Sequence, residues 1–253
     1  MSRYLLQFSY DGGSFHGYQI QPNAHSVQAE LEEKLSLLLG MTVEITGSSR
    51  TDTGVHARQQ FAHIDLPDKI IPASDFVYRA NRMLPPSLAL HSVDAVSDNF
   101  HARFDALSRT YEYIISTSKS PLMREYAYWF EAALDLDQMN LAGDMLKRHV
   151  DFQCFSKVKT EVLTFDCEIK KACWERRGDQ LVFTIQANRF LRGMVRSVVG
   201  TMIEIGLGNW ELSDLTNILN SKDRQKAGRS VPAHGLYLIQ VEYPKATFDA
   251  KYS

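Results

Sequence analysis

Apolar spacing alternates between strand and helix periods from the first residues onward, and that order limits the fold more than any other feature of the chain. Tyr4 to Tyr10 mixes aromatic and aliphatic residues and runs into Asp11-Gly12-Gly13, the pattern of a strand ending in a tight turn. Ser26 suits a helix N-cap, and Val27, Leu31, Leu35, Leu38 and Leu39 follow at helical spacing until Gly40. Strands are expected over Thr42 to Thr46 and Gln60 to Leu66. A second helix, capped by Ser74 and carrying Phe76, Val77, Ala80 and Leu84, stops at Pro85-Pro86, and Leu88 to Val96 supplies another strand. Strand, helix, strand, strand, helix, strand is the split βαβ order of ferredoxin-like domains.

The second half repeats the order without repeating the sequence. Tyr111 to Ser116 reads as a strand and Leu136 to Val150 as a helix with Met139, Ala142, Leu146 and Val150 on one face. Phe165 to Glu175 and Leu181 to Ala187 form a hairpin about Arg177-Gly178-Asp179. An apolar helix over Leu191 to Ile205, a shorter one over Leu212 to Leu219 and a strand over Leu236 to Tyr243 complete the half. The expected class is α+β: two ferredoxin-like halves, residues 1–104 and 105–253, with antiparallel sheets flanking a central cleft.

The chain's 253 residues are 44% hydrophobic, enough for a sizeable core in either half, and carry a formal net charge of −2. A protein that coats nucleic acid without selection is therefore not expected, and any affinity for it must come from local clusters of arginine and lysine. Cys154, Cys167 and Cys173 contain no C-x-x-C pair, and His149 near Cys154 lacks paired ligand spacing, so neither a disulfide framework nor a metal site is expected. The amino-terminal residues lack a signal-peptide pattern and no apolar run approaches the roughly 20 residues of a membrane span, so a reducing, cytoplasmic setting is expected.

Between two expected strands lies Gly47-Ser48-Ser49-Arg50-Thr51-Asp52-Thr53-Gly54-Val55-His56-Ala57, too polar for a core and therefore a loop at a strand end. It fits a solvated turn in which Gly54 supplies a positive φ. Taken alone, the segment favours that turn; the alternative is a single carboxylate, Asp52, kept ionised beside Arg50 and able to act as a nucleophile. Arg189, Arg192 and Arg196 fall at i, i+3 and i+7 of the apolar helix and would form a stripe, either a solvated face or a grip on phosphate. Arg50, Arg58, Arg103 and Arg109 are expected to add positive charge near the proposed site, making a local basic cleft. Tyr111 and Tyr113 share one face of their strand; at least one reads as a core tyrosine, and one beside a basic cleft could stack on an unpaired base.

These segments resemble the TruA family of tRNA pseudouridine synthases. The signature is Arg50-Thr51-Asp52-Thr53-Gly54-Val55-His56-Ala57. Further similarity runs through Tyr10-Asp11-Gly12 to Pro22, Phe100-His101-Ala102-Arg103-Phe104 with Tyr111 and Tyr113, Asn188 to Thr201, and Pro232 to Leu238. The resemblance implies the pseudouridine synthase fold and a homodimeric, cofactor-free isomerase that converts uridine to pseudouridine in the tRNA anticodon stem-loop, at positions 38 to 40. It implies Asp52 as the catalytic aspartate and Tyr111, Arg50, Arg196 and Leu236 as substrate-binding residues. Arg58, Arg189 and Arg192 are the expected RNA contacts. Ser49 departs from the family's common glycine and Thr53 from its common alanine.

The residues suit that chemistry on their own terms. Moving uracil from an N1 to a C5 link involves neither net redox change nor hydrolysis, and a carboxylate near C1′ or C6 can stabilise or trap the charge that develops. Two other readings compete: an RNA-binding protein without turnover, and a glycosidase. The latter usually needs a second carboxylate, for which Asp11 and Asp105 are the nearest candidates, and each also suits a turn.

Overall fold

Strand β1, Ser2–Tyr10, is the centre of the first unit because its partners flank it on both sides in antiparallel register. It pairs with β3, His56–Leu66 (Leu5 opposite His63, Phe8 opposite Gln60), and with β4, Leu88–Ala95 (Tyr4 opposite Ala95). The short β2, Ile45–Gly47, pairs with β3, so the first four strands take the order β4, β1, β3, β2 of a split βαβ domain. The structure is a computed structural model, and it describes residues 2–66, 73–157 and 163–249.

Helix α1, Val27–Leu39, begins where Ser26 Oγ accepts from the Ala29 amide and ends at Gly40, whose φ of 67° provides the left-handed cap. Leu31 and Leu35 are fully buried. Helix α2 spans Ala73–Met83, so Ser74 is already helical and is not its N-cap. Leu5, Leu6, Phe8, Ile64, Leu66 and Phe76, each at most 1% exposed, form the core of this unit.

The second unit is built on β5, Ser108–Ser116, buried at all nine positions. The two-residue strand β6, Tyr128–Trp129, runs parallel to its end. Helix α3, Leu136–Leu146, is capped by Asp135 and stops short of the expected Val150, because the amides of Arg148 and His149 close tight turns onto Met145 and Leu146. The hairpin strands β7, Ile169–Arg177, and β8, Gln180–Ala187, follow, and β8 lies between β7 and β5. Helix α4, Met194–Gly206, is buried almost all round, and α5, Leu212–Ser221, carries a capping box between Glu211 and Asp214.

Strand β9, Leu236–Glu242, leads to a last short helix, α6, Ala246–Asp249. By backbone contacts the first unit comprises Met1–Leu107 and Leu238–Ser253, and the second Ser108–Tyr237. The class is α+β with antiparallel pairing in both units. Among the described residues no helix is long and apolar enough to cross a membrane.

Candidate active site

In the first unit, the polar loop is shorter than its sequence suggests, because β3 starts at His56 rather than Gln60, with Ala57 opposite Tyr10 across a bulge. The loop proper therefore runs over residues 48–55. Asp52 is half-buried, and its carbonyl accepts from the Val55 amide at 3.1 Å, closing a turn. Gly54, third in that turn, has the φ of 79° that a type II turn requires there.

Both flanks of Asp52 are fixed by distant residues. Thr51 Oγ1 shares a 2.8 Å hydrogen bond with Tyr10 Oη, and the Thr51 carbonyl accepts from the Tyr18 amide at 3.1 Å. Gly17, with φ 89°, lies under the loop: a Cβ there would fall 2.9 Å from the Thr51 carbonyl oxygen. A Cβ on Gly12 would overlap the Val55 carbonyl. These two close approaches explain why the Asp11-Gly12-Gly13 turn and Gly17 belong to the same construction as Asp52.

Upstream, the fully buried Gln60 ties the loop to β3. Its Oε1 accepts from the Ser48 hydroxyl and the Phe61 amide, and its Nε2 donates to the Ser49 carbonyl at 2.9 Å. His56, 2% exposed, accepts from the Gly12 amide at Nδ1. Asp11 Oδ1 lies 3.1 Å from the same nitrogen, so the Asp11 turn and the Gly12 amide both meet this buried ring. The hydroxyls of Tyr18 and Ser49 are buried with no hydrogen-bond partner among the described residues, and burial holds the Tyr18 phenol far above its ordinary pKa. Arg50 and Arg58 are exposed. The carboxylates weighed as a second catalytic group both serve turns, Asp11 accepting from Gly13 N and Asp105 from His101 N.

In the second unit, Tyr111 lies on β5, 7% exposed, with the Phe190 ring edge-on at 5.2 Å. Tyr113 is the core tyrosine of the pair: fully buried, donating to the Pro232 carbonyl at 2.9 Å, its phenol pKa raised by burial. Its ring passes close over Gly235, one residue before the buried Leu236, where a Cβ would fall 2.8 Å from it.

Arg196 is on α4, half-buried, with Nε donating to the Val231 carbonyl at 2.7 Å while Val231 N donates back to the Arg196 carbonyl. The segment before Val231 lies directly on the helix: Gly228 N donates to Thr201 Oγ1, Ser230 meets Ser197, and a Cβ on Gly200 would overlap the Arg229 carbonyl. The expected arginine stripe is not formed. Gly193, at φ 73°, starts α4, so Arg189 and Arg192 precede the helix and do not share a face of it with Arg196. Arg189 is half-buried and Arg192 exposed, its carbonyl accepting from Lys157 N.

Burial pushes the Cys154 thiol up to about 12 and Cys167 up to about 11, the behaviour of inert core thiols. Among the described residues no three of His, Cys, Asp or Glu converge as a metal site requires. Sequence reasoning missed Tyr10, Gln60 and His56 as supports of the loop. The one local signal was a glutamine and histidine set among apolar strand residues.

The family described as tRNA pseudouridine synthase matches residues 7–105 and 148–244. A protein named tRNA pseudouridine synthase A from Parabacteroides distasonis is 45% identical over 251 residues, covering 98% of each chain. Proteins of the same name from Bacteroides thetaiotaomicron and Porphyromonas gingivalis are 43% and 42% identical over 251 residues, covering 98% of this chain and 93% and 100% of theirs.

Proposed function

The chain belongs to the tRNA pseudouridine synthase family, and from that premise we propose which of its residues convert uridine to pseudouridine. The chain is an isomerase acting on tRNA. The reaction breaks the N1–C1′ bond, forms a C5–C1′ bond, removes the proton from C5 and leaves one on N1, so substrate and product have the same atoms.

Asp52 is the nucleophile in this reading. The observation that carries it is the loop's construction: a half-buried carboxylate with its backbone fixed by the Tyr10–Thr51 bond on one side and the Val55 turn on the other. A group that must meet C1′ or C6 gains most from being held before substrate arrives. Arg50, two residues away and exposed, serves as a phosphate ligand.

In the second unit, Tyr111 takes the target base by its ring. Stacking worth about 1–3 kcal/mol is of the size needed to offset extruding a base. Leu236 adds apolar contact, Arg196 holds charge on the nucleotide, and Arg58, Arg189 and Arg192 grip the backbone as separate contacts rather than as one stripe. The target is a uridine of the anticodon stem-loop, the active form a homodimer, and the setting the cytoplasm; these follow the family resemblance.

The test uses purified protein and unmodified tRNA, with pseudouridine mapped chemically. Product is expected from the native chain, none from Asp52→Asn, and a tRNA Kd within a few-fold for both. Equal loss of binding and turnover in the variant would overturn the nucleophile role. Binding without product by the native chain would favour an RNA-binding protein.

A further inference from the structure

The turn at residues 100–105 belongs to the first unit and carries two side chains that the proposed reaction does not use. It is held unusually firmly. Ala102 N donates to His63 Nδ1 at 3.1 Å, His101 N to Asp105 Oδ2 at 2.7 Å, and Arg103 N to His101 Nδ1 at 3.1 Å. Tyr243 Oη donates to the Ala102 carbonyl at 2.5 Å, and Arg3, which grips Asp65 with two nitrogens, donates its third to the Phe100 carbonyl at 2.7 Å.

This framework presents Phe104 to solvent, the residue 73% exposed. The ring leans on His101 at 4.3 Å between centroids, and His101 leans in turn on the buried His63 at 4.9 Å. The Arg103 guanidinium lies over one face of the Phe104 ring, 5.7 Å from its centroid, so a base would stack on the part of the ring it leaves open or displace it toward the phosphate. An exposed phenyl ring exposes apolar area at a free-energy cost, and most surface loops let such a ring fold back. Here the amides of Arg103, Phe104 and Asp105 are all hydrogen-bonded within the turn, so the backbone that carries the ring is fixed.

A fixed aromatic face with a guanidinium beside it matches a nucleotide: the ring stacks on an unpaired base and the arginine meets the adjoining phosphate. We propose that Phe104 and Arg103 form a second tRNA contact, remote from Asp52 and outside the chemistry. His63, which anchors the turn, lies seven residues beyond His56 on β3, roughly 23 Å along the strand. The contact supplies binding energy from a part of the substrate that does not react. It rests on the tRNA reading above, and it commits to RNA rather than to a protein partner because the cation sits with the ring.

Binding of unmodified tRNA is measured against salt for the native chain, Phe104→Ala, Phe104→Tyr and Arg103→Ala, with unfolding midpoints and sedimentation for each. Phe104→Ala weakens binding about tenfold, raises KM in step and leaves the salt slope alone, and Phe104→Tyr restores affinity. Arg103→Ala weakens binding and reduces the log–log salt slope by about one. The unfolding midpoints stay at the native value. Native affinity in Phe104→Ala overturns the proposal, as does a changed sedimentation coefficient with unchanged Kd, which would assign the ring to contact with a second copy of the chain. If the native chain binds tRNA without forming pseudouridine, the catalytic reading fails while these affinities still decide this one.

Discussion

Tyr10 and Thr51, on β1 and beside Asp52 respectively, share a buried 2.8 Å hydrogen bond that joins the central strand to the loop carrying the proposed nucleophile. Tyr10→Phe keeps the ring and removes the partner of a buried hydroxyl. We expect a loss of about 1–2 kcal/mol in stability by urea unfolding. A fall in kcat larger than any change in tRNA Kd should accompany it, since the bond orients the loop without touching RNA. Unchanged kcat would show that Asp52 does not depend on this tether.

Gly17 is a second support of the same loop. Alanine there must adopt φ 89° and place a methyl 2.9 Å from the Thr51 carbonyl. Gly17→Ala is expected to cost at least about 1–2 kcal/mol and to lower kcat by displacing Thr51. Gly40→Ala, where φ is 67° but nothing lies within 4 Å, should cost stability alone, so the pair separates backbone strain from loop displacement.

Arg196 has a structural bond through Nε to Val231, whatever its contact with RNA. Arg196→Ala should weaken tRNA binding and lower the salt slope by about one if the guanidinium meets phosphate. A lower unfolding midpoint with an unchanged slope would mean that its task is to hold the 227–231 segment on α4.

His63 gives the fold a pH dependence. Burial, with Arg3 and His101 nearby, lowers its pKa from 6.5 to about 4, against the weaker pull of Asp65 and Asp105. Between those values the unfolded chain binds the extra proton, so stability rises with pH and is lost as pH falls from about 6.5 toward about 4. Between pH 7 and pH 5 a shift of that size removes about 2 kcal/mol. Urea titrations at pH 7 and pH 5 should show it, and His63→Gln should flatten that part of the curve.

Local pattern was sufficient where one residue type decides one backbone state. Ser26 and Gly40 bracket α1 as their spacing predicts, since a hydroxyl cap and a left-handed glycine each act within one turn. Asp52 stood out because a polar segment between strands has few other places to go. The start of α4 did not: Leu191 is apolar and helically spaced, and Gly193 permits the left-handed break without demanding it. The arginine stripe failed for that reason alone. The supports of the Asp52 loop were hidden for another, because Tyr10 and Thr51 are 41 residues apart and no periodicity links them.

Strand β9 returns from Leu238 onward to the unit formed by Met1–Leu107, with the whole of Ser108–Tyr237 intervening. On a ribosome the early strands therefore emerge long before the one that finishes their sheet, and the Tyr243 hydroxyl reaches the Ala102 carbonyl only after it. Contacts of such high sequence separation form slowly, so the first unit is completed only after the intervening unit has been made.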